Sequence, residues 1–491
     1  MSAAVLAAVL VAVPAFAQPA QPVDLGAAES FAVLGSTTVT NTAATTLNGN
    51  FGIFPGTTLP SGVTLGTGAS AHAGDAVAAL AAHDTDEALS DLDARTCGTT
   101  LATVAGVYAG GTLTTPGVYC FDQPNVQIAG SLTLTGPGRY VFKVAGTLST
   151  SANVLYTPAV TAPACNGSNV YWQVAGASAT LGGTSFVGTL LAHSDATLGS
   201  GVVVDGRVLS REGTVMLNGN TVTACTDGHV FPAYPSIKVT GGGGINVPSP
   251  NDSDPEATGS GFANYGFNAN PGAPGAPATG SFNYVNHELG NPPYHLVGTV
   301  NNVEVIAANT DGSAKTVLFS GTCTQVSNCT FAATVQDNGE PGRDDQFGVA
   351  IVVNGTVVEH RAMRQVRNGN IQFHTATLST EVSSRSVRGG DTLRLTGRLR
   401  RDRTVTAPAD AYVLLRTPGG QLLSWNGAGL VPGLAPLARN FIPVDLDALL
   451  LQIQVPLGTP AGTYTWMSAL TDAGTLNLRS GVVEQSFTVR P

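Results

Sequence analysis

Charge is scarce in this chain. Only 11% of its 491 residues are Asp, Glu, Lys or Arg, and 32 acidic against 22 basic residues give a net charge of −10. Helical bundles need charged outer faces, so this composition argues against one. Nucleic-acid binding needs a basic surface to neutralise phosphate, so no nucleic-acid partner is expected. Metal signatures are missing as well: there is no CxxC, no HExxH, and the eight histidines are scattered. No cofactor or metal is therefore expected. Beyond the N-terminus no run is long and apolar enough to span a bilayer.

What the chain has instead is Gly (60), Pro (29) and segments rich in Thr, Val and Ser. These point to many short strands joined by turns, a mainly β protein of several domains. Residues 1–17 read as a signal peptide. Ala3 to Val13 is apolar and Ala15-Phe16-Ala17 supplies a small-x-small cleavage pattern, although no Lys or Arg precedes the run. The expected location is extracellular or at the cell surface. In that oxidising compartment six cysteines read as structural bridges. Cys323 and Cys329 would staple one loop, Cys97 and Cys120 flank a short excursion, and Cys165 and Cys225 remain as a third pair. Spacing alone leaves other pairings open.

A short repeat dominates the first part of the chain. Ala179-Thr180-Leu181-Gly182 returns 17 residues later as Ala196-Thr197-Leu198-Gly199. Aligned on leucine, the pattern runs through Thr133-Leu134-Thr135, Thr147-Leu148-Ser149, the two copies above, and Met216-Leu217-Asn218. The leucines lie 14, 33, 17 and 19 residues apart, and the 33 contains a Pro- and Cys-bearing excursion, Thr157 to Asn169. Such spacings suit one rung of a three-sided coil, whose rungs bury a continuous core only when stacked. Neighbours in a strand point to opposite faces. If the leucines face inward, Thr133, Thr147, Thr180, Thr197 and Met216 form an outward column, with Thr135, Ser149, Gly182, Gly199 and Asn218 two residues on. Thr38-Val39-Thr40, followed by Thr42, repeats the arrangement. Ser70 is read as the N-cap of the one convincing helix, about 25 residues or roughly 37 Å long. Val77, Leu80, Ala81, Ala88 and Leu92 form its apolar stripe. Asp84, Asp86, Glu87, Asp91 and Asp93 occupy much of the rest.

The domains read as follows: residues 18–228 for the coil, 229–260 for a linker or entry segment, 261–375 for a β-rich module and 376–491 for an immunoglobulin-like sandwich, the last two both expected to be β-sandwich-like. The last contains alternating strands such as "DTLRLTGRLR" and "AYVLLRT".

Exposed threonine ladders also arise because β-branched side chains suit a pleated surface. Flat exposed strands are usually protected by charge, however, and this column has none. A rigid array of hydroxyls and methyls at fixed spacing suits ice, which presents a repeating lattice of oxygens.

Residues from about 24 to 225 also resemble the microbial ice-binding (antifreeze) family. The carrying stretches include "LGAAESFAVLGSTTVTNT", "LNGNFGIFPGT", "TPGVYCF", "YVFKVAGTLST", "NVYWQVAGASATLGGTSFVGTLLA" and "GRVLSREGTVMLNGNTVT". The resemblance implies a right-handed β-helix flanked by one long helix. It also implies a secreted, non-enzymatic protein that adsorbs to ice through one flat β face, inhibiting recrystallisation, lowering the freezing point or anchoring a cell. On this chain the ladder places that face on Thr38, Thr40, Thr42, Thr133, Thr135, Thr147, Ser149, Thr180, Thr197 and Asn218. Residues 236–375 resemble a β-rich module of secreted bacterial proteins.

Two other function classes compete with this reading. A β-helix lyase or hydrolase would need converging acid–base groups, and the candidates are His193, Asp195, Asp205, Arg207, Arg211 and Glu212. Solvation and turn capping explain the same residues. An adhesin would bind glycans through exposed aromatics, yet Trp172 alternates inward in "VYWQV". Cell-surface glycans could still meet the downstream domains at Arg361, Arg364 and Arg367 or at Arg394, Arg398, Arg400, Arg401 and Arg403. Asp337, Glu340, Asp344 and Asp345, like Asp252, Asp254 and Glu256, fit a calcium site less well than a solvated loop.

Overall fold

Leu134, Leu148, Leu181, Leu198 and Leu217 are all buried, each at most 2% exposed. The computed structural model describes residues 21–158, 166–226, 229–230, 237–247, 261–271, 277–288, 294–308, 314–339, 342–374, 377–400, 408–444, 446–474 and 482–490. Signal-peptide residues 1–17, Cys165, Asp252, Asp254, Glu256, Glu340, Arg401 and Arg403 lie outside them.

The leucines stand inside a three-sided β-helix whose ladders are parallel throughout. One side is a seven-stranded sheet, in spatial order Thr38–Asn41, Thr214–Leu217, Asp195–Leu198, Ser178–Leu181, Leu148–Thr150, Val126–Ile128 and Val107–Tyr108. A second side includes Phe31–Gly35, Tyr140–Val144 and Val170–Val174. The third includes Leu132–Leu134 and Val154–Tyr156. Strands Ser185–Ala192 and Val203–Ser210 bend from the third side onto the second. Aromatic rings stack inside the coil, with Phe142 and Trp172 centroids 4.0 Å apart. Trp172 is fully buried, and its Nε1–H donates to the Val187 carbonyl at 3.2 Å.

Stacking order differs from chain order at one place. Thr38–Asn41, from the first coil, lies on Thr214–Leu217, from the last. The rungs that follow the helix in sequence begin at the far end of the stack, with Thr99–Leu101 and Val107–Tyr108. The helix carries the chain between the two ends. It spans Ala76–Ala94, 19 residues, about 28 Å at 1.5 Å per residue. Seven rungs at about 4.8 Å rise roughly 29 Å, so the lengths match. The expected start at Ser70 is too early: Ala71–Ala73 pair as a strand with Phe51–Ile53, and Gly74 turns at φ +64°. Asp75 is the N-cap, accepting from the Ala78 amide at 2.9 Å.

The predicted stripe Val77, Leu80, Ala81, Ala88 and Leu92 is buried against the second side, where Leu34, Val141, Tyr171, Leu191 and Leu209 face outward. Ala76, Ala78, Ala79, Asp84 and Leu89 are buried as well, because a second body covers the helix from outside. Its residues Ile306, Leu318, Ala332, Ala350 and Val352 share the same apolar cluster. Asp84, expected on the polar side, turns inward and accepts the Ala27 amide at 2.6 Å.

That second body is one nine-stranded antiparallel sheet, rather than two packed sheets, running from Lys238–Val247 to Asn368–His374. Its first strand comes from the segment 229–260 that reads as an entry linker, and it pairs with both the second strand and the last. Tyr265 and Phe347 lie on strands five places apart, which in a flat sheet is about 24 Å. Their rings are 4.0 Å apart, so the sheet is rolled into a barrel around its aromatic residues. The third domain is a sandwich of a three-stranded and a seven-stranded sheet around Leu395, Val413, Trp466 and Leu470.

Disulfides join Cys97 to Cys120 and Cys323 to Cys329. Cys225 is also disulfide-bonded.

Gly188 and Gly206, Cα partners on adjacent rungs, sit where the strands bend, at φ +120° and +144°. A Cβ on Gly206 would lie 2.1 Å from the Gly188 carbonyl oxygen. Gly206→Ala is therefore expected to destabilise by about 2–3 kcal/mol. Gly201→Ala, at φ +70° with open space around it, should cost only about 1 kcal/mol. Urea unfolding of the two full-length variants measures the difference.

Candidate functional site

Of the coil's three sides, the seven-stranded sheet carries a continuous outward column that the helix does not cover. In register across the sheet it reads Val107, Gln127, Ser149, Thr180, Thr197, Met216 and Thr40. A companion column two residues earlier contains Ser178 opposite Asp195, and Thr214 opposite Thr38. The outward positions lie about 4.8 Å apart between rungs and about 6.7 Å apart along a strand. Inward residues Val39, Ala179, Leu181, Ala196, Leu198, Val215 and Leu217 are all buried. They anchor the plane from beneath.

The side chains are mostly short and uncharged, with Asp195 the one ionisable group in these columns. The hydroxyls of Thr38, Thr40, Ser149, Ser178 and Thr180 make no hydrogen bond to the described protein. Thr197 Oγ1 lies 4.0 Å from the Met216 sulfur, and Met216 stands 36% exposed. At the sheet margin Asn and Asp side chains tie rung to rung. Asn125 Oδ1 accepts from the Thr147 amide at 3.0 Å and its hydroxyl at 3.2 Å. Asp195 Oδ1 accepts from the Thr214 amide at 2.7 Å. Asp122 accepts from the Thr103 hydroxyl and amide, which holds its carboxyl below the ordinary range.

Several expected positions fall elsewhere. Thr133 belongs to Leu132–Leu134 on the third side, and Thr135 follows it, its amide donating to Leu113. Leu148 pairs with Ala179 rather than with Leu181. Thr147 therefore joins the companion column, and Ser149 stands beside Thr180. A two-residue slip keeps every side chain on its own face, so alternation does not reveal it. Thr42 and Asn218 lie in the turns after their strands. The Thr42 amide donates to the Leu217 carbonyl at 3.0 Å and the Asn218 amide to Asn220 Oδ1 at 2.6 Å. Ser178, Thr214 and Gln127 join the face without having been expected there. The first two lie two residues before Thr180 and Met216, a spacing that alternation alone assigns to the same side.

The six acid–base candidates do not meet as one group: Arg207, Asp205 and Asp195 stand apart, while His193, Arg211 and Glu212 lie near Asp86. Arg207 is fully buried and ion-paired with Glu29 on the helix-covered side. Asp205 accepts the Asn166 amide at 3.1 Å on the third side, and burial pushes its carboxyl upward. Asp195 is on the exposed sheet. Arg211 pairs with Asp86 at 3.0 Å and stands 3.7 Å from Glu212, while His193 lies 3.3 Å from Asp93. In the barrel loop Asp337 accepts the Gly339 and Phe373 amides, and Asp345 those of Asn338 and Ile371. These carboxylates serve the backbone.

The family described as Ice-binding-like matches residues 33–223. An ice-binding protein of Nostoc sp. (strain HG1) is 38% identical over 212 residues, covering 41% of this chain and 74% of that protein. One from Flammulina populicola is 31% identical over 225 residues, covering 41% of this chain and 88% of its own. The crystal structure of an ice binding protein from an Antarctic biological consortium aligns with 43% of this chain and 95% of its own, at 32% identity and a TM-score of 0.37.

Asn125→Ala removes an exposed tie between rungs whose place water can take, and is expected to cost about 0.5–1 kcal/mol. Thr180→Val, on the open face, should change stability by less than about 0.5 kcal/mol. Thermal unfolding of the full chain compares them.

Proposed function

The chain belongs to the ice-binding protein family, and from that premise we propose that it adsorbs to ice through the outward side of the seven-stranded sheet. One arrangement supports this reading. Ser149, Thr180, Thr197, Met216 and Thr40 stand in a single register, each held by a buried neighbour. Ice offers a fixed lattice, so a matching surface must be ordered before contact. A coil whose strands are already paired loses little further entropy on adsorption. Threonine suits such a surface, because its hydroxyl donates or accepts and its methyl displaces water without protruding. Each contact is weak, and adsorption comes from many made together. Bound chains would hinder crystal growth, lowering the freezing point and slowing recrystallisation.

Met216 interrupts the array with a longer side chain that approaches Thr197. The adsorption is non-enzymatic in this reading. Export by the N-terminal segment and residence outside the cell belong to it too. The downstream domains would orient or tether the ice face, with exposed Arg394 and Arg398 offering acidic glycans a contact.

Thr180→Tyr and Thr197→Tyr should each remove most thermal hysteresis in the full-length chain while leaving its circular dichroism unchanged. Retained hysteresis in both would move the site to another face. Met216→Thr should raise hysteresis above the parent, because it restores a short hydroxyl between Thr197 and Thr40. Partitioning into a slowly grown ice hemisphere gives the independent check on adsorption itself.

A further inference from the structure

The contact between the barrel and the β-helix contains a buried carboxyl that the ice face does not use. Glu304 lies on the barrel strand Tyr294–Ala308. One of its oxygens, Oε2, accepts from Asn50 Nδ2 at 3.4 Å, across the boundary between the two bodies. Asn50 is itself buried and donates to Ser30 Oγ at 3.0 Å. The other oxygen, Oε1, is shut away from solvent with no hydrogen-bond partner among the described residues. On the β-helix side, His72 is in the same condition: it is 8% exposed and its Nε2 is buried without a partner. Its Nδ1 is 2.8 Å from Asp75 Oδ2. Asp75 in turn caps the helix on which the barrel sits.

We propose that Glu304 is a proton-sensitive latch that holds the barrel against the β-helix in its neutral form and weakens that contact when it ionises. An ionised carboxylate enclosed here has one weak donor, Asn50, and leaves an oxygen unsolvated, which is costly. The neutral acid has no charge to desolvate, so burying it there costs far less. The charged groups around it do little to rescue the anion. His72 favours the anion, but its imidazole already faces Asp75. Glu29, on the neighbouring turn Gly26–Ser30, is occupied by Arg207. The paired barrel strand sets uncharged Leu318 opposite Glu304.

Burial pushes the Glu304 carboxyl up from 4.5 to about 7, and His72 partly offsets that rise. A carboxyl whose pKa is raised by docking binds its proton more tightly in the docked state. Docking is then strongest below the ordinary carboxylate range and is lost progressively as pH climbs to about 7, by about two orders of magnitude in the docking equilibrium. The remaining contacts include Thr330 Oγ1 accepting from the Ala76 amide at 3.0 Å, the His83 and His360 rings 3.5 Å apart, and the shared apolar cluster. They set how much of this weakening becomes visible as opening.

The experiment is hydrogen exchange of helix amides between Ala79 and Leu92 in the full-length chain, at a series of pH values from about 5.5 to 8.5. Expressing the rates as protection factors removes the chemical pH dependence. The wild type should lose roughly tenfold or more protection across this range. Glu304→Gln, a neutral isostere, should hold protection nearly constant. A second variant, His72→Gln, removes the imidazole whose electrostatic influence lowers the Glu304 carboxyl and should move the wild-type midpoint to higher pH. A pH-independent wild type overturns the proposal, as does an equal decline in Glu304→Gln or an unmoved midpoint in His72→Gln. Ice adsorption does not enter this measurement, so its outcome is separate from that of the ice-face variants.

Discussion

A parallel ladder dictates which side chain lies above which, and the β-helix depends on that single constraint. Hydrogen bonds hold successive rungs at one spacing, while buried leucines, valines and alanines choose the register. Once Leu181, Leu198 and Leu217 are stacked inside, Thr180, Thr197 and Met216 have nowhere to go but outward. The outer lattice is therefore a by-product of the inner one. Its regularity costs no separate set of interactions, apart from the Asn and Asp side chains that tie the margins.

The three sides share this scaffold but differ in what they present. The second side shows Val141, Tyr171, Leu191 and Leu209 to the helix, so it must be covered. The exposed sheet shows small hydroxyl residues and tolerates water. The helix is a bridge of matched length and also a wall between two bodies, which explains why its burial extends beyond one stripe. The barrel occupies the helix-bearing side and does not compete with the open sheet.

Much of this is legible in the chain. The 17-residue return of Ala-Thr-Leu-Gly marks true neighbours, because Thr180 and Thr197 are Cα partners. Trp172 alternates inward, as its place in the strand implies. Other features are not legible. The two-residue slip at Leu148 conserves the facing of every side chain, so the pattern of apolar and polar residues is the same either way. Thr133 sits in a strand as short as its neighbours, and nothing in a three-residue strand says which side of a three-sided coil it belongs to. The helix start is obscured because Ala71–Ala73 resembles helix in composition, while the Gly74 turn and the Asp75 cap decide locally. Most consequential is the placement of the first coil, which depends on pairings about 175 residues away in sequence.

That placement gives the domain an unusual birth order. Thr38–Asn41 emerges from the ribosome early, yet the strand it rests on, Thr214–Leu217, is made near the end of the domain. Until then the N-terminal coil has an open edge, and the lattice lacks its last row. A growing chain can stack the central rungs one upon another as they appear, but it can close the array only retroactively, by fitting its oldest strand onto its newest.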